Sequence, residues 1–178
     1  MRTFLLLLVV AAVLAAQETR TEVTKGTTPA DDSKPNSDKV PDAYALSGNF
    51  SKVVVLRYKY QADLLAGIEN MVKQEKIRNG VILAGAGSVR NYQIHSVSNR
   101  TFPSKNTYVK NPTAPADIIS MNGYIIDGKI HAHMTMASPD KAFGGHLEPG
   151  TNVFTFAIVT IGVMNDVDLS RVDDKTYR

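Results

Sequence analysis

The chain has no cysteine. Disulfide cross-links, a thiolate nucleophile and lipid attachment through a cysteine are therefore excluded, and the fold must be held by its core, by metal or by assembly. One-sided charge is also missing. Lys and Arg total 20 against 17 Asp and Glu, a net charge of +3. No block of five like charges occurs and no Arg-Gly-Arg hook, so the charge signature of a nucleic-acid binder is absent. No Gly-x-Ser-x-Gly elbow is present, which removes the familiar serine-hydrolase signal. No internal repeat is evident.

What is present begins at the N-terminus. Arg2 precedes an apolar run from Phe4 to Leu14, followed by Ala15-Ala16 and then Gln17-Glu18. A short positive region, a short apolar core and small residues before a polar start form a secretory signal pattern, too short for a membrane span. The expectation is a signal peptide over 1–16 and a secreted or periplasmic protein with no stable membrane insertion after cleavage. Residues 17–45 are rich in Thr, Lys, Asp, Ser and Pro. They can bury too little apolar surface to offset ordering entropy, which predicts a disordered linker. A single domain is expected over 46–166, and a frayed charged tail over 167–178.

Within the domain, Phe50 to Tyr60 reads as a strand, and Gln61 to Asn79 as a helix with Leu64, Leu65, Ile68, Met71 and Val72 on one face. Asn79-Gly80 reads as its C-cap. Val81 to Leu83 reads as a short strand broken by Ala84-Gly85-Ala86-Gly87-Ser88, and Val89 to Val97 as a further strand. Asn99 to Pro115 reads as a loop with a short strand at Thr107 to Lys110. Two alternating runs, Asp117 to Ile126 and Lys129 to Ala137, are joined by Asp127-Gly128, which suits a type I′ turn. Thr151 to Met164 reads as the longest strand. One helix among many strands predicts an α+β fold, an antiparallel-dominated sheet with one principal helix packed on it.

Three of the four histidines fall between Lys129 and Gly150. His131 and His133 are two apart on an alternating strand, so they share a face with their Cβ atoms roughly 7 Å apart. His146 follows Gly144-Gly145, which would let the backbone turn it toward the other two. Neutral imidazoles suit zinc and similar ions. The competing reading is a polar strand face that carries two histidines by chance, and on pattern alone the two balance. Glu148, two residues beyond His146, is a candidate fourth ligand or general base, against a solvated turn carboxylate. Arg57, inside an apolar strand, is a candidate anion contact, against a simple ion pair. His95 stands alone on its strand and reads as an ordinary histidine. Gly85-x-Gly87-Ser88 lacks a following helix and reads as a strand bend rather than a phosphate loop. Asn49-Phe50-Ser51 and Asn99-Arg100-Thr101 are glycosylation sequons, relevant only in a eukaryotic secretory route.

The ordered set of motifs resembles the PPC (PCC) domain, the plant and prokaryote conserved domain. It comprises V-L-R-Y at Val55 to Tyr58 before the D-L-L helix and G-A-G-S-V at Gly85 to Val89. It continues with D-I-I-S-M-N-G-Y at Asp117 to Tyr124, H-A-H at His131 to His133 and G-G-H-L at Gly144 to Leu147. The likeness spans Phe50 to Met164. It implies a single helix on an antiparallel sheet, a homotrimer, and a metal site at His131, His133 and His146, with water or a small anionic ligand at the open position. Plant members add an A·T hook that grips DNA; this chain has none and carries an export signal instead. The leading expectation is an exported, trimeric protein binding a divalent metal, zinc above others. A DNA-binding or regulatory module, a metal-dependent hydrolase using Glu148 and Arg57, and a structural trimer without an active site stand as alternatives.

Overall fold

The computed structural model describes residues 17–24, 41–101 and 103–172. The 1–16 leader, most of the linker and residues 173–178 of the tail lie outside the described residues. Eight strands form one sheet: β1 (Thr19–Thr24), β2 (Lys52–Lys59), β3 (Gly80–Val97), β4 (Lys105–Asn111), β5 (Ala116–Ile126), β6 (Lys129–Ala137), β7 (Ala142–Leu147) and β8 (Asn152–Val163). Among the described residues one α-helix, α1 (Leu64–Gln74), lies between β2 and β3, and a 3-10 turn follows at Leu169–Arg171. Every strand pairing is antiparallel. The expected α+β class is the observed one.

Strand β3 organises the sheet. Its first half pairs with β5 and β8, and its second half with β4 and β7. Because β5 also pairs with β6, and β6 with β7, the pairings close a circuit β3–β5–β6–β7–β3. The sequence predicts a break in this strand at Ala84-Gly85-Ala86-Gly87-Ser88. The structure instead keeps one 18-residue strand. Register shifts against β8 at Ile82/Ala84, Gly87/Val89 and Val89/Asn91 bend it without ending it. It, rather than the 12-residue β8, is the longest strand.

Alternation sorts the side chains. On β6, Ala132, Met134 and Met136 are buried while His131, His133 and Thr135 are exposed. Helix α1 buries Leu64, Leu65, Ile68 and Val72 against the same core, each worth about 1.5–3 kcal/mol relative to exposure. Asp63 caps it by accepting from the Ala66 amide at 3.0 Å. The helix is shorter at both ends than the expected Gln61–Asn79 span. Lys76 adopts φ 54°, and the Lys76 and Ile77 amides return to the carbonyls of Lys73 and Val72. This pair of bonds is a Schellman stop, and it tucks Ile77 into the core. Asn79 does not cap the helix: it donates to the Val167 carbonyl and accepts from the Asp127 amide.

The hairpin between β5 and β6 has Asp127 at φ 49° and Gly128 at φ 77°, the paired positive values that the Asp-Gly signal demands. The loop expected over Asn99–Pro115 contains a longer strand than foreseen, β4. The linker reading also needs correction where it is described. Residues 19–24 form β1 on the edge of β4. Side chains of β1 are all exposed, so composition gave no sign of it. Ladder hydrogen bonds hold it, with Glu18 accepting from Tyr92 (2.8 Å) and Glu22 from Ser98 (2.8 Å). Leu169, in the segment read as a frayed tail, is buried.

Candidate metal centre

The site is built across strands. Direct register partners run Asn122 on β5, His133 on β6, His146 on β7, His95 on β3, Tyr108 on β4 and Thr21 on β1. This is one row perpendicular to the strands on the face opposite Ala132 and Met134. His131, two residues from His133, extends it toward its partner Tyr124. Ring centroids lie 5.0 Å apart for His131–His146, 5.4 Å for His133–His146, 4.5 Å for His95–His146 and 4.9 Å for His95–Tyr108.

Two glycines make the row possible. A Cβ on Gly145 would lie 2.5 Å from the His95 carbonyl oxygen, and one on Gly144 would lie 2.3 Å from that of Met134. Their role is therefore close backbone approach on both edges of β7, not the turn that the sequence suggested. Glu148 is fixed from behind. Its amide donates to the Gln93 carbonyl at 3.1 Å. Thr151 exchanges two bonds with the Gln93 backbone, and Asp63 accepts from the Gly150 amide at 2.6 Å. The helix cap thus also anchors the loop that follows Glu148.

Two groups of donor atoms result. His95, His146 and Glu148 each offer one atom within 4.8 Å of the others, and these three could hold a metal ion. Glu148 Oε1 lies 2.5 Å from His95 Nδ1 and 3.3 Å from His146 Nδ1. The second approach is not aligned for a hydrogen bond, so His146 Nδ1 is a buried nitrogen without a hydrogen-bond partner. Beside this group, His131 Nε2 and His133 Nε2 face one another at 3.2 Å. Two nitrogens on one tetrahedral zinc, at about 2.05 Å each, stand about 3.3 Å apart. The donor set and this spacing fit a transition-metal ion. Burial, with the neighbouring imidazoles, holds the His146 and His133 pKa values below the ordinary histidine value. The lowered values favour the neutral ring, which is the ligating form.

All three sequence-selected histidines lie on this face. His95, read as an isolated histidine, is at its centre; only the β3–β7 register reveals that. Glu148 sits between two imidazoles rather than in open solvent. Arg57 does not join them. It is exposed, and its row, Arg57–Ile158–Ala86, crosses β3 nine residues before His95 and holds none of the histidines.

Solved structures share this fold. One is a metal-containing protein from Archaeoglobus fulgidus, with a TM-score of 0.56 and 22% identity, covering 68% of this chain and 86% of that one. Another is the plant- and prokaryote-conserved (PPC) protein of Pyrococcus horikoshii, with a TM-score of 0.55 and 22% identity, covering 68% and 85%. Among curated proteins, the bifunctional protein GlmU of a Synechococcus strain is 24% identical over 132 residues, which are 69% of this chain but 18% of that protein. The chain spans less than a fifth of that relative's length. Residues 45–165 match the pattern of the Plants and Prokaryotes Conserved (PCC) domain, and the chain belongs to that family.

Proposed function

We propose that this is an exported PCC-domain protein that binds a divalent metal ion on the histidine face. His131, His133 and His146 are the ligands, and water or a small anion takes the open position. The observation that carries the reading is the cross-strand row, which gathers four imidazoles and one carboxylate from three strands and a loop. Imidazole-rich donors favour zinc and its neighbours over magnesium or calcium. An ion held there would supply Lewis acidity and lower the pKa of a bound water. Burial favours the neutral, ligating form of His133 and His146, and the packed rings hold one another's planes. Export rests on the leader pattern of residues 1–16, and among the described residues no helix is long and apolar enough to cross a membrane.

The test is elemental analysis of the purified protein, followed by stripping and titration with zinc and nickel. Near-stoichiometric metal is expected, and His131→Ala or His146→Ala should weaken binding by at least an order of magnitude. A metal-free protein that takes up neither ion would end the reading. Salt-dependent DNA binding would instead favour the regulatory alternative. Turnover of an ester or phosphate that is lost with the metal would favour the hydrolase.

A homotrimer belongs to the same proposal. Val53, Val55, Phe156, Ile158 and Leu83 are exposed on the face of β2, β8 and β3. Apolar surface of this extent on a sheet supports burial by further copies of the chain.

A further inference from the structure

We infer that His95, His146 and Glu148 form a second metal seat on the histidine face, built on Nδ1 of His146 and separate from the His131–His133 side. It goes beyond the all-imidazole set proposed above and does not need an ion there. It adds a ligand set of two imidazoles and one carboxylate.

Distance is the first support. One donor atom from each of the three residues lies within 4.8 Å of the other two. Two atoms bound to one zinc at about 2.05 Å stand about 3.3 Å apart in a tetrahedron and about 2.9 Å apart at a right angle. Glu148 Oε1 and His146 Nδ1, at 3.3 Å, already have that spacing. His95 Nδ1 and Glu148 Oε1, at 2.5 Å, share a hydrogen bond. They need to part by about 0.4 Å to flank an ion, a shift that torsional play within a rotamer well supplies.

The second support is an orphaned atom. His146 Nδ1 is buried and has no hydrogen-bond partner. Such atoms are uncommon in folded chains, and a bound ion is one of the few explanations for them. Charge is the third. The Glu148 side chain is only 18% exposed, and among the described residues its ion-pair partners are His95 and His146, with no Lys or Arg. A divalent cation would balance that sheltered carboxylate.

The fold holds the three together. His95 and His146 are register partners, β7 approaches β3 closely at Gly145, and the Glu148 amide is tied to the Gln93 carbonyl. Two imidazoles and a carboxylate form the ligand set of catalytic zinc sites that keep a fourth position for water, and the same set suits iron(II). His146 borders both seats. A neutral imidazole has one lone pair, so the ring serves one ion at a time unless its remaining proton passes to water. The seats are therefore coupled, and the second ion should bind about 5–150-fold more weakly than the first.

The experiment is a zinc titration of metal-stripped protein, with bound metal counted by elemental analysis at saturation. Two steps are expected, ending at two ions per chain. Glu148→Gln, which keeps the side-chain shape, and His95→Ala should each remove one ion, with circular dichroism unchanged. His131→Ala should leave the His95–His146–Glu148 ion in place. Uptake that Glu148→Gln and His95→Ala leave unaltered would overturn the inference. So would a single ion that is lost in His131→Ala as well as in both of those variants, because that describes one seat. An ion that survives His131→Ala and His133→Ala but not Glu148→Gln would uphold this seat while the ligand set proposed above fails. A chain that takes up no zinc would end both.

Discussion

At the scale of single residues the site depends on what two glycines omit. Gly145→Ala would drive a Cβ to 2.5 Å from the His95 carbonyl oxygen, so β7 must move away from β3. We expect a loss of about 1–3 kcal/mol in denaturant unfolding. Metal affinity should fall with it, since His146 and His95 would part; an unchanged affinity would show that the row does not need this approach. This residue scale was also where the sequence was partly legible. His131 and His133 advertise a shared face because strand periodicity is two. His95 gives no such sign, for its membership depends on which strand lies beside β3. Glu148 looks like a turn carboxylate until the Gln93, Thr151 and Asp63 bonds that hold its loop are seen.

At the scale of elements, β1 shows how backbone pairing can order a segment whose composition reads as disordered. Glu18 couples it to the core. The Tyr92 hydroxyl donates to the carboxylate and holds its pKa below the ordinary 4.5. Burial, and then the Glu18 carboxylate, push the Tyr92 hydroxyl up to about 12. A depressed carboxyl pKa means that the folded state prefers the charged form. The tie is therefore complete above 4.5 and is lost as pH falls through the lowered value. Amide exchange across Thr19–Thr24 should accelerate as the solution is acidified through that range, relative to β3. Tyr92→Phe should bring β1 to that faster exchange already at neutral pH, and β1 protection that ignores both changes would refute the coupling. Other elements divide in the same way between local and distant causes. The β5–β6 hairpin was legible because Asp127-Gly128 encodes its own turn. The helix end was not, because Lys76 takes a left-handed conformation usually left to glycine. Gly85 and Gly87 were read as breaks in β3, whereas flanking strands on both edges carry the chain through its bulges.

At the scale of the molecule, the sheet has two differently served surfaces. One is sealed by α1 and by closure of the β3–β5–β6–β7 circuit. The other carries the histidine row and, further along β3, the apolar residues of β2 and β8. The Tyr58 ring meets α1, with a Cβ on Gly67 only 2.8 Å from it. Val53, Val55 and Arg57 therefore point away from the helix, where Val55 is 65% exposed. Ile158 and Phe156 stand opposite them as register partners of Arg57 and Lys59. Surface of this kind raises solubility and aggregation costs unless another copy covers it. Sedimentation of the purified protein is expected to give three times the chain mass. Ile158→Lys combined with Phe156→Glu, both at exposed positions, should give monomers whose circular dichroism is unchanged, because neither side chain supports the core. The same variant separates assembly from chemistry. Neither Ile158 nor Phe156 is a register partner of a histidine of the row, so the monomer should keep the zinc affinity of the unmodified protein. A monomeric unmodified protein would refute the assembly, and a variant that stays trimeric would place the interface elsewhere. A dissociated variant that loses its metal would mean that a neighbouring copy contributes to the site.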